Sequence, residues 1–166
     1  MGERVVTGWQ VDKKWTDFYL PEVKRILGEA LIGEPPVEED QQRNTDLIVL
    51  RMEAVRIGVR IRKEKYMKSY AQEFTIRTSR PSGTKTELRK IIEGWGDYFF
   101  YGFAGNDSLK AFVLADLNIF RSTYHDMVSD GAKKWVEKTN YDGSSDFCAF
   151  QWRDFPRNFI VYSGRV

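Results

Sequence analysis

Residues 44–63, NTDLIVLRMEAVRIGVRIRK, contain two short patterns that are typical of β-strands. Residues 47–50 are aliphatic and rich in branched side chains, and in residues 55–61 aliphatic side chains alternate with arginine and glycine. A period of two buries one face of a strand and exposes the other. The segment therefore predicts two strands, the second of which carries guanidinium groups along one face.

A third run of the same kind follows in residues 72–78, QEFTIRT, where Phe74 and Ile76 alternate with polar residues. The turn signal Pro81-Ser82-Gly83 comes next,. We expect the three runs to pair in chain order as a three-stranded meander.

Helices are predicted on both sides of these strands. Residues 15–31 carry apolar side chains at spacings of three and four, with Pro21 suited to an early helical position and Gly33 after the end,. A second helix is expected after a cap at Thr84 or Thr86, and it ends at Gly94 and Gly96,. Later segments are predicted as two strands, a helix and two aromatic-rich extended stretches, in residues 98–103, 109–114, 116–136 and 145–161.

Length and composition indicate one ordered domain, residues 1–166, with a core in about 15–103 and a C-terminal helix and strands in 104–166,. The 26 basic and 24 acidic residues leave a net charge of +2, so attraction for a polyanion must come from local clustering,. Basic residues do cluster between positions 56 and 90. Such a segment suits a nucleic-acid surface, and it equally suits a solvated face that protects strand edges.

Some functional classes are excluded by residue counts. One cysteine, Cys148, excludes an intramolecular disulfide, and one histidine, His125, excludes the usual zinc sites, so a metal would need oxygen ligands,. No signal core and no run of 18 apolar residues is present, which predicts no membrane span and a cytoplasmic location,.

The order helix, three-stranded meander, helix and strand in residues 15–103 resembles the PD-(D/E)XK nuclease superfamily, which includes restriction enzymes and Holliday-junction resolvases. The resemblance implies a restriction-endonuclease-like fold of the α/β (α+β) class, with a central mixed β-sheet flanked by helices. It also implies a DNA endonuclease that depends on Mg²⁺ or Mn²⁺.

In that superfamily an acidic residue at the start of the second strand binds the metal, and Asp46 occupies the matching place. The resemblance adds Glu22 from the first helix as a ligand, and Asp40 and Glu73 supply further carboxylates. Lys63 or Lys90 would position the attacking water.

The third strand of the motif should carry Asp or Glu, one residue, and Lys, whereas the matching positions here hold Arg60-Ile61-Arg62. A guanidinium cannot bind a cation or act as a base. Two explanations stay open. Glu73, or Glu87 with Lys90, returns the missing groups to the site, or the fold binds phosphate without cleaving it.

Arginines on the strands are candidates for phosphate contacts, and internal ion pairs are the alternative. The candidates are Arg60, Arg62 and Arg77, with Arg80 and Lys85 in the turn before the second helix. Trp95, Tyr98 and Tyr101 are candidates for stacking on unpaired bases, and a place in the core is their alternative. The functional hypotheses are a nuclease, a non-catalytic nucleic-acid-binding protein and a protein-interaction module, with a homodimer left open.

Overall fold

A computed structural model gives the fold and describes residues 8–33, 48–49, 55–79, 82–83 and 85–165. Its helices are α1 (Gly8–Leu31), α2 (Met67–Tyr70), α3 (Glu87–Ile92) and α4 (Leu117–Ser129). Its strands are β1 (Ile32–Gly33), β2 (Ile48–Val49), β3 (Ile57–Lys63), β4 (Glu73–Ser79), β5 (Tyr98–Gly105), β6 (Ser108–Asp116), β7 (Trp135–Thr139), β8 (Asp146–Gln151) and β9 (Ile160–Arg165).

The described strands form three sheets. The largest has the order β3-β5-β6-β9, and it is mixed because β3 is parallel to β5 while the other pairs are antiparallel. The second sheet, β4-β8-β7, is antiparallel throughout, and β1 pairs with β2 alone. The prediction of an α+β fold with a mixed sheet and flanking helices is confirmed.

Strand β5 decides how the layers stack, since six of its eight residues are buried. Phe100 and Ala104 pack with Tyr19, Val23 and Ile26 of α1 on one face. On the other face, the side chains of β5 join a second cluster with the three-stranded sheet and α4, whose members include Phe99, Tyr101, Phe103, Phe74, Phe150 and Phe120. The four-stranded sheet therefore lies between α1 and the three-stranded sheet.

Aromatic rings make up much of the second cluster. Phe120 of α4 lies 5.3 Å from Phe150 and 6.1 Å from Phe74, measured between ring centroids. Asp116 begins α4 by accepting hydrogen bonds from the backbone N–H groups of Asn118 and Ile119, which would otherwise lack partners at a helix start,. Capping and ring packing together hold α4 against both sheets.

The predicted meander is wrong. Strands β2, β3 and β4 are the three runs that it would have joined, and each lies in a different sheet. A period of two indicates which side chains share a face of a strand, but it carries no information on the pairing partner. Here β3 pairs with β5, and a 3-10 helix (Glu64–Tyr66) with α2 carries the chain from β3 to β4 in the second sheet.

Two helix predictions also need correction. The first helix begins at Gly8, so Pro21 lies inside it rather than near its start. The helix predicted over residues 116–136 ends at Ser129, and Trp135 begins strand β7 instead. Val128, near the end of the helix, is 53% exposed.

Candidate functional site

A cleft of about 990 Å³ opens along strand β3, which is an edge of the four-stranded sheet. One wall comes from the first half of α1, including Lys14, Trp15 and Phe18. The opposite wall comes from β4, α3 and the β7–β8 hairpin. Residues Val59 to Lys63 of β3 lie between the walls, so the arginine-bearing strand of the sequence forms the floor.

Arg60 joins the two sheets across the cleft. Its Nη1 donates to Oγ1 of Thr75 on β4 at 3.2 Å, and its Nη2 donates to Oε2 of Glu87 on α3 at 2.5 Å. The side chain is 22% exposed. Arg60 is therefore largely engaged inside the protein, as the ion-pair alternative predicted.

Arg62 is held without a carboxylate partner in the described part of the chain. Its Nη1 donates to the hydroxyl of Tyr101 at 3.3 Å, and its guanidinium carbon lies 4.8 Å from the ring centre of Tyr66 and 5.4 Å from that of Tyr70. Aromatic faces attract a cation but do not neutralise it. Arg62 thus lies half-buried among aromatic rings, without an ion pair to any described residue.

Lys63 extends this arrangement toward α1. Its Nζ lies 5.7 Å from the ring centre of Trp15, and the chain at this point is exposed. Trp15 is anchored in turn, because its Nε1 donates to the carbonyl oxygen of Ile61 at 3.2 Å. The indole of Trp15 therefore links α1 to β3, and the ammonium group of Lys63 lies over the indole ring.

Glu87 is enclosed by donors. Its Oε2 accepts from the backbone N–H of Arg77 at 3.0 Å as well as from Arg60. The α3 helix begins at Glu87, and Thr86 precedes it as the cap residue without a side-chain capping bond. Glu87 therefore acts as the counterion of Arg60.

The cleft lining contains six lysine and arginine residues and three aspartate and glutamate residues. Lys13 pairs with Asp17 at 2.6 Å, and Arg60 pairs with Glu87. Lys14, Arg62 and Lys63 make no ion pair with any residue that the structure describes. A surplus of positive charge in a concave site raises the local concentration of anions.

Burial raises the pKa of Tyr19, which lines the cleft from α1, and the nearby carboxylates of Asp107 and Glu22 raise this pKa further. Tyr19 thus stays a neutral hydroxyl donor at neutral pH. The same burial effect raises the pKa of the Cys148 thiol to about 11 in the core. Neither group supplies a nucleophile at neutral pH.

Four of the residues expected in the site point elsewhere. Glu22 accepts from the backbone N–H of Leu109 at 2.9 Å, and Glu73 lies 3.4 Å from Nε2 of Gln151. Lys85 pairs with Glu93 at 2.6 Å, which lowers the pKa of Glu93. Lys90 is exposed on α3 and is not part of the cleft lining. Glu73 and Lys90 were predicted to complete the site, but neither side chain lies in the cleft.

Asp46, Asp40 and Arg80 lie outside the described residues. Within the described ranges, no group of three His, Cys, Asp or Glu side chains is placed to hold a metal ion. The candidates that the structure does bring together are Arg60, Arg62, Lys63, Arg77 and Glu87.

Several cleft residues were not anticipated from the sequence, namely Lys14, Trp15, Phe18, Tyr66 and Thr75. Lys14 and Phe18 are four apart on α1, a spacing that places them on one face. This spacing can be read from the sequence, but Phe18 was assigned to the apolar face of the helix together with the core residues.

Comparison of the chain with family models, curated proteins and solved structures finds no match. Among the residues described, no helix is long and apolar enough to span a membrane. The proposal for the function therefore rests on the cleft and its charges.

Proposed function

We propose that this protein binds nucleic acid in the cleft along β3, with lysine and arginine contacting the phosphates. The observation that carries the proposal is the set of Lys14, Arg62 and Lys63, which line one cleft and have no carboxylate partner in the described chain. Neutralisation of phosphates by such groups supplies most of the affinity for nucleic acids.

The guanidinium group of Arg62 is suited to a phosphate contact. A planar guanidinium presents two parallel donors, which match two oxygens of one phosphate. The hydroxyl of Tyr101 occupies Nη1, and the rings of Tyr66 and Tyr70 orient the plane. Because the group is already ordered, less conformational entropy is lost on binding.

The proposed phosphate contacts are made by lysine and arginine side chains, which do not bind metal ions. Glu87 is enclosed by Arg60 and Arg77, Glu22 and Glu73 are engaged outside the cleft, and no described carboxylates converge. Hydrolysis with Mg²⁺ or Mn²⁺ stays a prediction that depends on Asp46 and Asp40. A homodimer and a cytoplasmic location likewise stay predictions.

The test is fluorescence anisotropy with a labelled DNA oligonucleotide and its RNA counterpart, in a chelating buffer at low salt. Arg62→Ala and Lys63→Ala are each expected to weaken binding roughly threefold to tenfold, because each removes one phosphate contact. Lys63 is exposed, so its substitution tests the site even if Arg62→Ala destabilises the fold.

Lys134→Ala is the matched control. It removes one exposed positive charge from the connection between α4 and β7, and Lys134 is not part of the cleft lining. We expect its affinity to stay close to that of the unmodified protein. Equal losses for Lys134→Ala and Lys63→Ala would show a non-specific charge effect, and no binding at all would refute the proposal.

A further inference from the structure

Exposed aromatic rings border the cleft, although burial would favour placing them in the core. Phe18 on α1 is 59% exposed, Tyr66 after β3 is 37% exposed, and Tyr141 in the β7–β8 hairpin is fully exposed. Phe18 and Tyr66 belong to the lining, and Tyr141 follows the lining residue Asn140. An aromatic face in water beside a basic cleft is a surface on which a base can stack.

Phe18 and Lys14 lie next to each other on the face of α1 that lines the cleft. They are four residues apart and are both exposed, so the ring and the ammonium group lie on one helix face,. The rings of Phe18 and Tyr19 meet edge to face at 5.0 Å, and Tyr19 is buried against the sheet. The buried neighbour therefore supports the exposed ring from below.

The hairpin tip that carries Tyr141 is ordered by its own hydrogen bonds. Asn140 donates through Nδ2 to Oγ of Ser145 at 2.8 Å, and its backbone N–H donates to the Ser145 carbonyl at 2.9 Å. Gly143 closes the turn with a φ of 66°, a conformation that favours glycine,. Tyr141 is thus presented to solvent by a defined turn.

The exposed rings of the cleft suit an unpaired strand rather than a duplex. Arg62 lines the cleft and is half-buried against the side chains of Tyr66, Tyr70 and Tyr101. A volume of about 990 Å³ accommodates a few nucleotides of single strand,. In a duplex the bases are paired and stacked on one another, so their faces are not free to stack on the exposed rings.

We infer that the cleft binds single-stranded nucleic acid, with Phe18 and Tyr141 stacking on unpaired bases while Arg62 and Lys63 hold the backbone. This inference rests on the proposed nucleic-acid binding and specifies its substrate class. Stacking is tolerant of sequence because every base has a flat face. The cleft therefore selects unpaired strands without a strong base preference.

The experiment compares labelled single-stranded DNA, its duplex and an abasic strand of the same length, by anisotropy. The unmodified protein is expected to bind the single strand at least about tenfold more tightly than the duplex. Phe18→Ser and Tyr141→Ser are each expected to weaken single-strand binding at least about fivefold and to leave abasic binding unchanged. Tyr66 is left intact because its ring also positions Arg62.

Trp95→Ser is the control, since Trp95 is 60% exposed and neither it nor its two chain neighbours are part of the cleft lining. Its affinity for the single strand is expected to be unchanged. The inference is overturned if the duplex or a free mononucleotide binds as tightly as the single strand, or if Phe18→Ser and Tyr141→Ser have no effect. If Lys63→Ala and Arg62→Ala also leave abasic binding unchanged, the proposed function itself fails.

Discussion

Individual charges in the cleft have different roles although they are close in sequence. Arg60 and Arg62 are two residues apart on β3, yet Arg60 is neutralised by Glu87 and Arg62 is surrounded by aromatic groups. Alternation along the strand predicted that both would share a face. The partners of the two arginines lie on other elements of the fold, which a local pattern cannot place.

At this scale Glu87→Gln is the most informative substitution. The amide keeps an acceptor oxygen for the N–H of Arg77 and removes the charge that neutralises Arg60. We expect nucleic-acid affinity at low salt to rise roughly twofold to tenfold, because one more cation faces the cleft. Anisotropy titration measures the change.

A matched charge removal at Glu93, which pairs with Lys85 and Arg89 outside the cleft lining, serves as the comparison. Glu93→Gln is expected to change affinity much less. A loss of binding in Glu87→Gln with the fold intact would contradict the role of Glu87 as a counterion.

Cys148 is expected to be inert in the folded protein. It is 2% exposed, and burial raises the pKa of its thiol from 9.0 to about 11. Only the thiolate reacts with alkylating reagents, and the raised pKa leaves roughly 100-fold less thiolate at pH 8 than an ordinary cysteine has. Mass spectrometry after alkylation at pH 8 should find no label under native conditions and full labelling in denaturant. Rapid native labelling would contradict the packing around Cys148.

Among the elements, α1 combines a helix-breaking residue with strong packing. Pro21 lies inside α1, where it removes a backbone donor and crowds the preceding turn at a cost of about 3 kcal/mol,. Tyr19, Val23 and Ile26 around it are buried against the sheet. Burial of each such side chain contributes roughly 1.5–3 kcal/mol, which offsets the cost.

Pro21→Ala is therefore expected to stabilise the protein. Pro21 is exposed, so alanine leaves the buried contacts in place while restoring a hydrogen-bond donor. The free energy of unfolding in urea should rise by about 1–3 kcal/mol. An unchanged or lower value would show that the helix bends at Pro21 in a way that the packing requires.

Secondary structure followed from the sequence more readily than strand pairing did. The periods of two in β3 and β4 and the spacing in α1 predicted their types because side-chain periodicity is a local property. The parallel pairing of β3 with β5 was not predictable in this way, since it depends on which faces bury apolar area after the whole chain has folded,. The helix predicted over residues 116–136 is present as Leu117–Ser129, and its predicted end was wrong for the same reason, because Trp135 packs with Tyr124 and Phe150 from a strand.

The molecule as a whole has a net charge of only +2, but positive charge is in surplus in the cleft. The basic segment predicted from the sequence contributes Arg60, Arg62, Lys63 and Arg77 to it. The carboxylates expected beside them did not gather, because Glu22 and Glu73 satisfy donors on other strands. The fold therefore brings these four basic side chains into one cleft, while the described residues do not form the predicted metal site.

The dependence of binding on salt tests the central claim most directly. Each phosphate contact to a single strand adds about −0.7 to the slope of log affinity against log salt concentration. We expect a linear, negative slope for the unmodified protein. In the double variant Arg62→Ala with Lys63→Ala the slope should be shallower by about 1.4, and in Lys134→Ala it should be unchanged. A slope near zero, or the same slope in the double variant, would contradict nucleic-acid binding through this cleft.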